Sequence, residues 1–115
     1  MKTIEDLPLN SDENKAIREA TRMLKEKFSV KEVILFGSKA RGDSREESDI
    51  DLLLLTTEPL HWKERHAIIE ALFDVEMRYS VAISIVVNTV YDWQKGICTV
   101  LPLHEEINRE GVTVP

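Results

Sequence analysis

The sequence has little of several features that would mark a specialised class of protein. It contains one cysteine, Cys98, so an internal disulfide framework is excluded. Glycine and proline occur only four times each, which rules out a collagen-like or proline-rich chain. No apolar run approaches the roughly 20 residues that a membrane-spanning helix needs, and the N-terminal stretch MKTIEDLPLNSDENK lacks the apolar segment of a secretion signal. We therefore expect a cytoplasmic protein with no membrane partner.

An excess of positive charge is also absent. The chain carries 21 acidic against 15 basic side chains and a formal net charge of −6, which opposes general attraction to nucleic-acid phosphates. Hydrophobic residues make up 43% and charged residues 31% of the chain, as in ordinary globular proteins. With 115 residues, these values predict a single folded domain spanning residues 1–115.

The pattern of apolar residues predicts alternating helices and strands. Helical periodicity is expected over residues 12–28, with Ser11 as its cap, and over 61–79, where Trp62, His66, Ile69 and Phe73 form one stripe. Short apolar runs predict strands over 32–36, 49–55 and 81–87, and the chain closes with a helix over 103–109 and the sequence VTV. The fold class is therefore α/β (α+β), a small mixed sheet of three or four strands with helices packed on it.

The stretch GSKARGDSREESDID, residues 37–51, carries the chemistry that the rest of the chain lacks. Gly37 and Gly42 have the spacing of a Walker phosphate loop, but Asp43 stands where that loop requires lysine, so a Walker site is rejected. Gly37 still allows a tight exit from the first strand, and Ser38 stands where a following helix would begin. With Lys39 and Arg41 close by, this turn is predicted to bind an anion.

Asp49 and Asp51 close the same stretch. They lie two residues apart at the start of a strand, so both carboxylates are expected on one face. Parallel carboxylates repel each other, and a divalent cation with oxygen ligands, Mg²⁺ or Mn²⁺, relieves that repulsion. Taken alone, either end of the stretch also fits a solvated surface turn. Together they predict a site for a nucleoside triphosphate and a metal ion.

The order Gly-Ser, ten residues, then Asp-x-Asp resembles the minimal nucleotidyltransferases of the DNA polymerase beta-like superfamily. The resemblance rests on this spacing, on Ala-Arg-Gly after the serine and on Ser-Asp-x-Asp-Leu at the end. It implies a nucleotidyltransferase fold that uses Mg²⁺ or Mn²⁺ and a nucleoside triphosphate, ATP before the others. It further implies catalytic and metal-binding roles for Asp49 and Asp51 and nucleotide-binding roles for Gly37, Ser38, Arg41 and Ser48.

The resemblance also implies a biological setting. Small members of the family are often encoded beside a HEPN-domain toxin and act as its antitoxin, some by attaching AMP to a tyrosine of the toxin. A HEPN-domain toxin is therefore an expected protein partner of this chain. The apolar helix over 61–79 and the closing strand leave a second copy of the chain as a further expected partner.

One part of the family pattern is missing. Active members add a third carboxylate from the next strand, but VAISIVV offers only Ala82, Ser84 and Val86 on the face of the first two. Asp74 and Glu76, just before this strand, are the two acids that could take the place of the missing third carboxylate. Two hypotheses follow: a nucleotidyltransferase that works with two protein carboxylates, or a catalytically weak binding module that neutralises its partner by contact.

Overall fold

The computed structural model describes residues 2–43 and 48–115. None of the helices in these two ranges is long and apolar enough to cross a membrane. Two 3₁₀ turns, Ile4–Asp6 and Ile97–Val100, accompany the main elements. In chain order, those elements are α1 (Ser11–Lys27), β1 (Val30–Phe36), α2 (Gly37–Arg41), β2 (Ile50–Thr56), α3 (Trp62–Tyr79), β3 (Ile83–Thr89), α4 (Val90–Gln94), α5 (Pro102–Glu110) and β4 (Val112–Val114).

The four strands form one mixed sheet in the order β3-β2-β1-β4. The pairs β1–β2 and β1–β4 are antiparallel, whereas β2 and β3 run parallel and are joined through the crossover helix α3. This arrangement confirms the predicted α/β class and the small mixed sheet.

The central strand β2 is covered on both faces. Ile50, Leu52 and Leu54 pack into a core with the buried side chains of α1 and α3. Leu53 and Leu55 point the other way and pack with a smaller cluster from α4, α5 and the 3₁₀ turn between them, namely Trp93, Cys98 and Ile107. A strand buried on both faces reads as a continuous apolar run, which is why this segment reads LLLL rather than alternating.

The cap of α1 differs from the expected one. Asn10, not Ser11, is the N-cap: its side-chain oxygen accepts the Glu13 N–H at 2.7 Å. The Glu13 carboxylate in turn accepts the Asn10 N–H at 2.9 Å, which completes a capping box. Asparagine caps as well as serine does, so the sequence NSDE allowed either start.

The predicted stripe on α3 faces solvent rather than the core. Trp62 is 68%, Ile69 48% and Phe73 56% exposed, while the helix buries Ile68, Leu72 and Val75 instead. The helix is apolar on more than one face, so periodicity alone could not decide which face packs on the sheet. His66, in the same stripe, is also exposed and lies 3.0 Å from Glu70.

A buried ion pair joins α2 to the first turn of α1. The Lys39 ammonium lies against the Glu13 carboxylate, and both side chains are almost completely excluded from solvent. Glu13 therefore has two functions: it closes the capping box of α1 and it neutralises the buried ammonium of Lys39. The pair sets the position of α2, and with it the turn at Gly37, relative to α1.

Replacing Lys39 with methionine should destabilise the protein by roughly 3 to 5 kcal/mol, because the Glu13 carboxylate stays buried without its counter-charge. The double variant Glu13→Gln with Lys39→Met should recover most of that loss, since glutamine also closes a capping box. Denaturant unfolding of the three proteins measures both effects. A single variant within about 0.5 kcal/mol of the parent chain would contradict a structural role for the pair.

Candidate functional site

The two ends of the sequence motif meet at one end of the sheet. In the antiparallel β1–β2 pair, Phe36 lies opposite Asp51, so the turn after β1 sits beside the start of β2. In the parallel β2–β3 pair, Ser84 lies opposite Asp51. The site is therefore made by the C-terminal end of β1 and the N-terminal ends of β2 and β3.

Gly37 lies directly against the Asp51 carboxylate. A Cβ atom at position 37 would overlap the carboxylate oxygen Oδ2 of Asp51, and the backbone there has a φ of +75°. Both facts require glycine, because an L side chain would be strained and would have no space. Gly37, near the start of the motif, thus brings the backbone of the turn into contact with the carboxylate of Asp51, at the end of the motif.

Asp49, Asp51 and Ser84 share one face of the sheet, opposite to the face covered by α1 and α3. The Ser84 hydroxyl donates a hydrogen bond of 2.9 Å to Oδ2 of Asp49. Ser84 thus stands beside the two aspartates where the third carboxylate of the family pattern was expected. The serine contributes a neutral donor to the carboxylates rather than another negative charge.

The two acids held as substitutes do not join this group. Oε2 of Glu76 accepts the backbone N–H of Ile83 at 2.9 Å, which places it at the start of β3. Asp74 is an exposed residue of α3. Across residues 2–43 and 48–115, no set of three or more histidine, cysteine, aspartate or glutamate side chains is arranged to hold a metal ion.

Burial raises the pKa of Asp51 above its ordinary value, and the neighbouring charge of Asp49 raises it further. Arg41 opposes this rise and Glu106 of α5 adds to it. Partial desolvation and a like charge both disfavour the ionised form, so the carboxylate pair is held at an electrostatic cost. A cation bound between the two carboxylates would remove that cost.

The positive charges of the turn have other contacts than expected. Lys39 was predicted to attract an anion, and the structure contradicts this, because its ammonium is buried against Glu13. The Arg41 guanidinium reaches across to α5, 3.2 Å from Glu110 and 3.5 Å from Glu106. Hydrogen bonds to Glu110 and to Asp43 raise the pKa of Arg41. A nucleotide-binding role for Arg41 stays a prediction and would require it to exchange these carboxylates for phosphate.

The two serines of the motif flank the carboxylates. Ser38 is half-buried in the first turn of α2, directly after Gly37, and Ser48 is half-buried next to Asp49. Residues 44–47, the middle of the motif, lie outside the described ranges. The nucleotide-binding roles of Gly37, Ser38 and Ser48 remain predictions, and their positions next to Asp49 and Asp51 are consistent with those roles.

Sequence reasoning missed two contacts that shape the site. The first is the Lys39–Glu13 pair. The spacing of Asn10 and Glu13 is that of a capping box and accounts for the contact of Glu13 with Asn10, but it gives no sign of the contact with Lys39. The proximity of Glu106 to Asp51 had no local signal, because α5 follows β2 by nearly the whole second half of the chain.

The arrangement can do one kind of chemistry well. Two adjacent carboxylates provide hard oxygen ligands, and Mg²⁺ in proteins typically takes one or two carboxylates and completes its shell with water and substrate phosphates. The geometry therefore fits a divalent ion that is shared between the protein and a phosphate chain.

Comparison with protein families and curated relatives agrees with this geometry. A family model described as "Polymerase beta, Nucleotidyltransferase" matches residues 18–99. A candidate protein adenylyltransferase of Methanocaldococcus jannaschii is 38% identical over 102 residues, which cover 87% of this chain and 95% of the relative. A second candidate protein adenylyltransferase of that organism is 40% identical over 97 residues, covering 84% and 89%.

Solved structures share the fold. A structure described as a candidate minimal nucleotidyltransferase is 29% identical, with a TM-score of 0.58 over 99% of this chain and 96% of that chain. The crystal structure of a toxin–antitoxin with AMP-PNP has a TM-score of 0.59 at 17% identity, covering 90% of this chain and 72% of that one, and this likeness shows the fold alone. With its fold and its motif, the chain belongs to the minimal nucleotidyltransferases of the polymerase beta type.

Proposed function

We propose that this protein is a metal-dependent nucleotidyltransferase that moves a nucleoside monophosphate, AMP first, from a nucleoside triphosphate to a hydroxyl group of a partner protein. The partner is a HEPN-domain toxin, and the chain is its antitoxin. The observation that carries the proposal is the contact between the Gly37 turn and Asp51, with Asp49 on the same face. The names of the curated relatives, candidate protein adenylyltransferases, support protein as the acceptor.

The chain's own residues have separate tasks in this reaction. Asp49 and Asp51 would hold Mg²⁺ or Mn²⁺, Gly37 would let the phosphate chain approach the backbone, and Ser38 would donate a hydrogen bond to it. An ion held by these two carboxylates would supply polarisation of the α-phosphate and a lower pKa for the attacking hydroxyl. The acceptor oxygen forms a bond to the α-phosphorus, the bond between the α-phosphorus and the bridging oxygen breaks, pyrophosphate leaves, and the hydroxyl proton passes to solvent.

A second function is favoured by one observation, the hydroxyl of Ser84 in place of a third carboxylate. With only two protein carboxylates, transfer would be slow, and the chain would neutralise its partner by contact. The nucleotide or metal cleft would then serve binding rather than catalysis. The two functions differ in whether Asp49 and Asp51 are needed for neutralisation.

Incubation with a HEPN-domain toxin, Mg²⁺ and ATP labelled on the α-phosphate should transfer label to the toxin, whereas ATP labelled on the γ-phosphate should transfer none. Asp49→Asn and Asp51→Asn should each lower the rate by about 10² to 10⁴-fold, because each removes a metal ligand. Label on the toxin, resolved by gel and mass spectrometry, is the measurement.

Asp74→Asn is the matched control, since it removes an exposed carboxylate of α3 and should transfer label at the parent rate. Repeating the assay with GTP, CTP and UTP tests the preference for ATP. If the Asp49→Asn, Asp51→Asn double variant still protects cells from the toxin, contact rather than transfer explains neutralisation.

Ser84→Asp should raise the transfer rate by about tenfold or more, because it adds a third carboxylate beside Asp49. Without metal, the same variant should melt at a lower temperature than the parent chain, since it adds a like charge, and Mg²⁺ with nucleotide should reverse that loss. Ser84→Asn, which adds similar bulk and no charge, is the control. Equal rates for the aspartate and asparagine variants would argue against the metal role of this face.

Asp51→Asn should raise the melting temperature of the metal-free protein at neutral pH. The folded chain binds the Asp51 proton more tightly than the unfolded chain, so stability is lost as the pH rises from the ordinary value of 3.8 through the raised folded pKa. The gain from the substitution should therefore be absent in acid and complete at neutral pH. Thermal melts across that pH range provide the measurement.

Metal and nucleotide should invert this order, because only the parent chain retains both carboxylates to bind them. Asp74→Asn again serves as the control and should show no pH-dependent gain. A gain of equal size in acid and at neutral pH would contradict the electrostatic cost of the carboxylate pair.

A further inference from the structure

The strand β3 forms one edge of the sheet, and its outer side is open among the described residues. The Ile50 N–H donates to the Ala82 carbonyl at 2.8 Å, so the even-numbered residues of β3 bond to β2. The odd-numbered residues then direct their backbone groups outward, and the outward N–H of Ile83 is the one that Glu76 accepts. Ile85 and Val87 follow it with backbone groups directed at the open edge.

The exposed stripe of α3 lies on the side of this open edge. The Glu76 carboxylate accepts a hydrogen bond from Ile83, so this side of α3 faces β3. The side chains of Arg78 and Tyr79 donate to Glu19 of α1, so the other side of α3 faces α1. At about 100° per residue, Ile69 and Phe73 lie within roughly 60° of Glu76 around the helix axis. Trp62 and Met77, at 68% and 67% exposure, extend the same stripe in both directions.

The stripe and the strand are centred at the same level. The midpoint of β3 is Val86, three residues beyond Ile83, or about 10 Å along the strand. Because α3 runs antiparallel to β3 with a rise of about 1.5 Å per residue, that distance corresponds to about seven residues before Glu76, at Ile69. The stripe from Trp62 to Met77 is also centred beside Ile69.

We propose that β3 and the exposed stripe of α3 together form the interface with a second copy of this chain, with β3 pairing antiparallel to β3 about a two-fold axis at Val86. A single two-fold axis must pass through the midpoint of every element that it pairs with its own copy. The midpoint of β3 and the midpoint of the exposed stripe of α3 lie at the same level, so one axis can pass through both. Pairing through Ile85 and Val87 joins two four-stranded sheets into one of eight strands.

The helices meet in the same arrangement. With strands about 4.8 Å apart and α3 above β2 and β3, the two copies of α3 lie about 10 Å apart on the same face of the joined sheet, which is the spacing of packed helices. Ile69 of one copy then lies opposite Ile69 of the other, and Phe73 of one copy lies opposite the turn at His66 of the other.

The surface available is of the right size. For side chains of about 200 Å², exposures of 48 to 68% leave on the order of 100 Å² on each of Trp62, Ile69, Phe73 and Met77. Two copies would cover about 800 Å² through these side chains before the strand edges add theirs, approaching the roughly 1,200 to 2,000 Å² of stable interfaces. The charged residue next to Ile69 is Glu70, whose carboxylate contacts the His66 ring at 3.0 Å within the same copy.

Sedimentation velocity over a wide concentration series tests the assembly. The parent chain should have the mass of a dimer, and Ile69→Glu with Phe73→Glu should reduce it to the mass of a monomer with its helical content unchanged, because both side chains are exposed. Ile97→Glu with Val100→Glu is the matched control: it places the same two charges on exposed apolar residues outside the stripe and should leave the dimer intact.

Cross-linking tests the axis itself. In a Cys98→Ser background, in which serine retains the donor to the Asn88 side chain, Val86→Cys should form a disulfide-linked dimer on oxidation, because its two copies face each other. Ala82→Cys, on the same face of the strand and more exposed, should not, since its copies lie about 26 Å apart in this register.

Three results would overturn the proposal. The first is a parent chain that is monomeric at every concentration, which would indicate that the surface binds a different protein. The second is a folded Ile69→Glu, Phe73→Glu variant that is still a dimer. The third is an Ala82→Cys variant that cross-links as readily as the Val86→Cys variant.

Discussion

The antiparallel pairing of β1 with β2 determines the rest of the site, because its register sets Phe36 opposite Asp51. The glycine after Phe36 then touches the Asp51 carboxylate at the other end of the motif. A shift of one residue would turn the Asp51 carboxylate into the core covered by α1 and α3 and would turn Leu52 toward the smaller cluster on the other face. Burying an unpaired carboxylate in an apolar core is costly, so this cost holds the chemistry in register.

Two charge arrangements, one buried and one partly exposed, lie on either side of the turn and have opposite energetics. The Lys39–Glu13 pair is neutral as a unit, has its hydrogen bonds within the fold, and ties α2 to α1. The Asp49–Asp51 pair has no such balance, since burial and mutual repulsion raise the pKa of Asp51. The first arrangement makes the turn rigid, and the second leaves it charged for a ligand that brings a cation. Such local instability at a site supported by a stable scaffold is typical of functional centres.

The surface outside the site has its own organisation. One side of α3 packs on the sheet through Ile68, Leu72 and Val75, and a second apolar side remains exposed next to the edge of β3. Glu76 closes only the first backbone position of that edge. Exposed strand edges are usually protected by charges, bulges or covering elements, and the described part of this edge is largely apolar. The candidate site and the proposed dimer surface on α3 therefore lie on opposite faces of the same sheet.

The sequence alone determined the class of fold, the helices and strands within about two residues, and the pairing of a glycine turn with two aspartates, because these depend on periodicity and on spacing along the chain. It also determined that strand three lacks an acid beside them, since alternation fixes which side chains face the site. Only the tertiary structure decided that Lys39 neutralises Glu13 instead of meeting an anion, that Arg41 pairs with α5, and that the stripe of α3 faces solvent. Each of these depends on which distant elements pack together, and a local pattern contains no information about that contact.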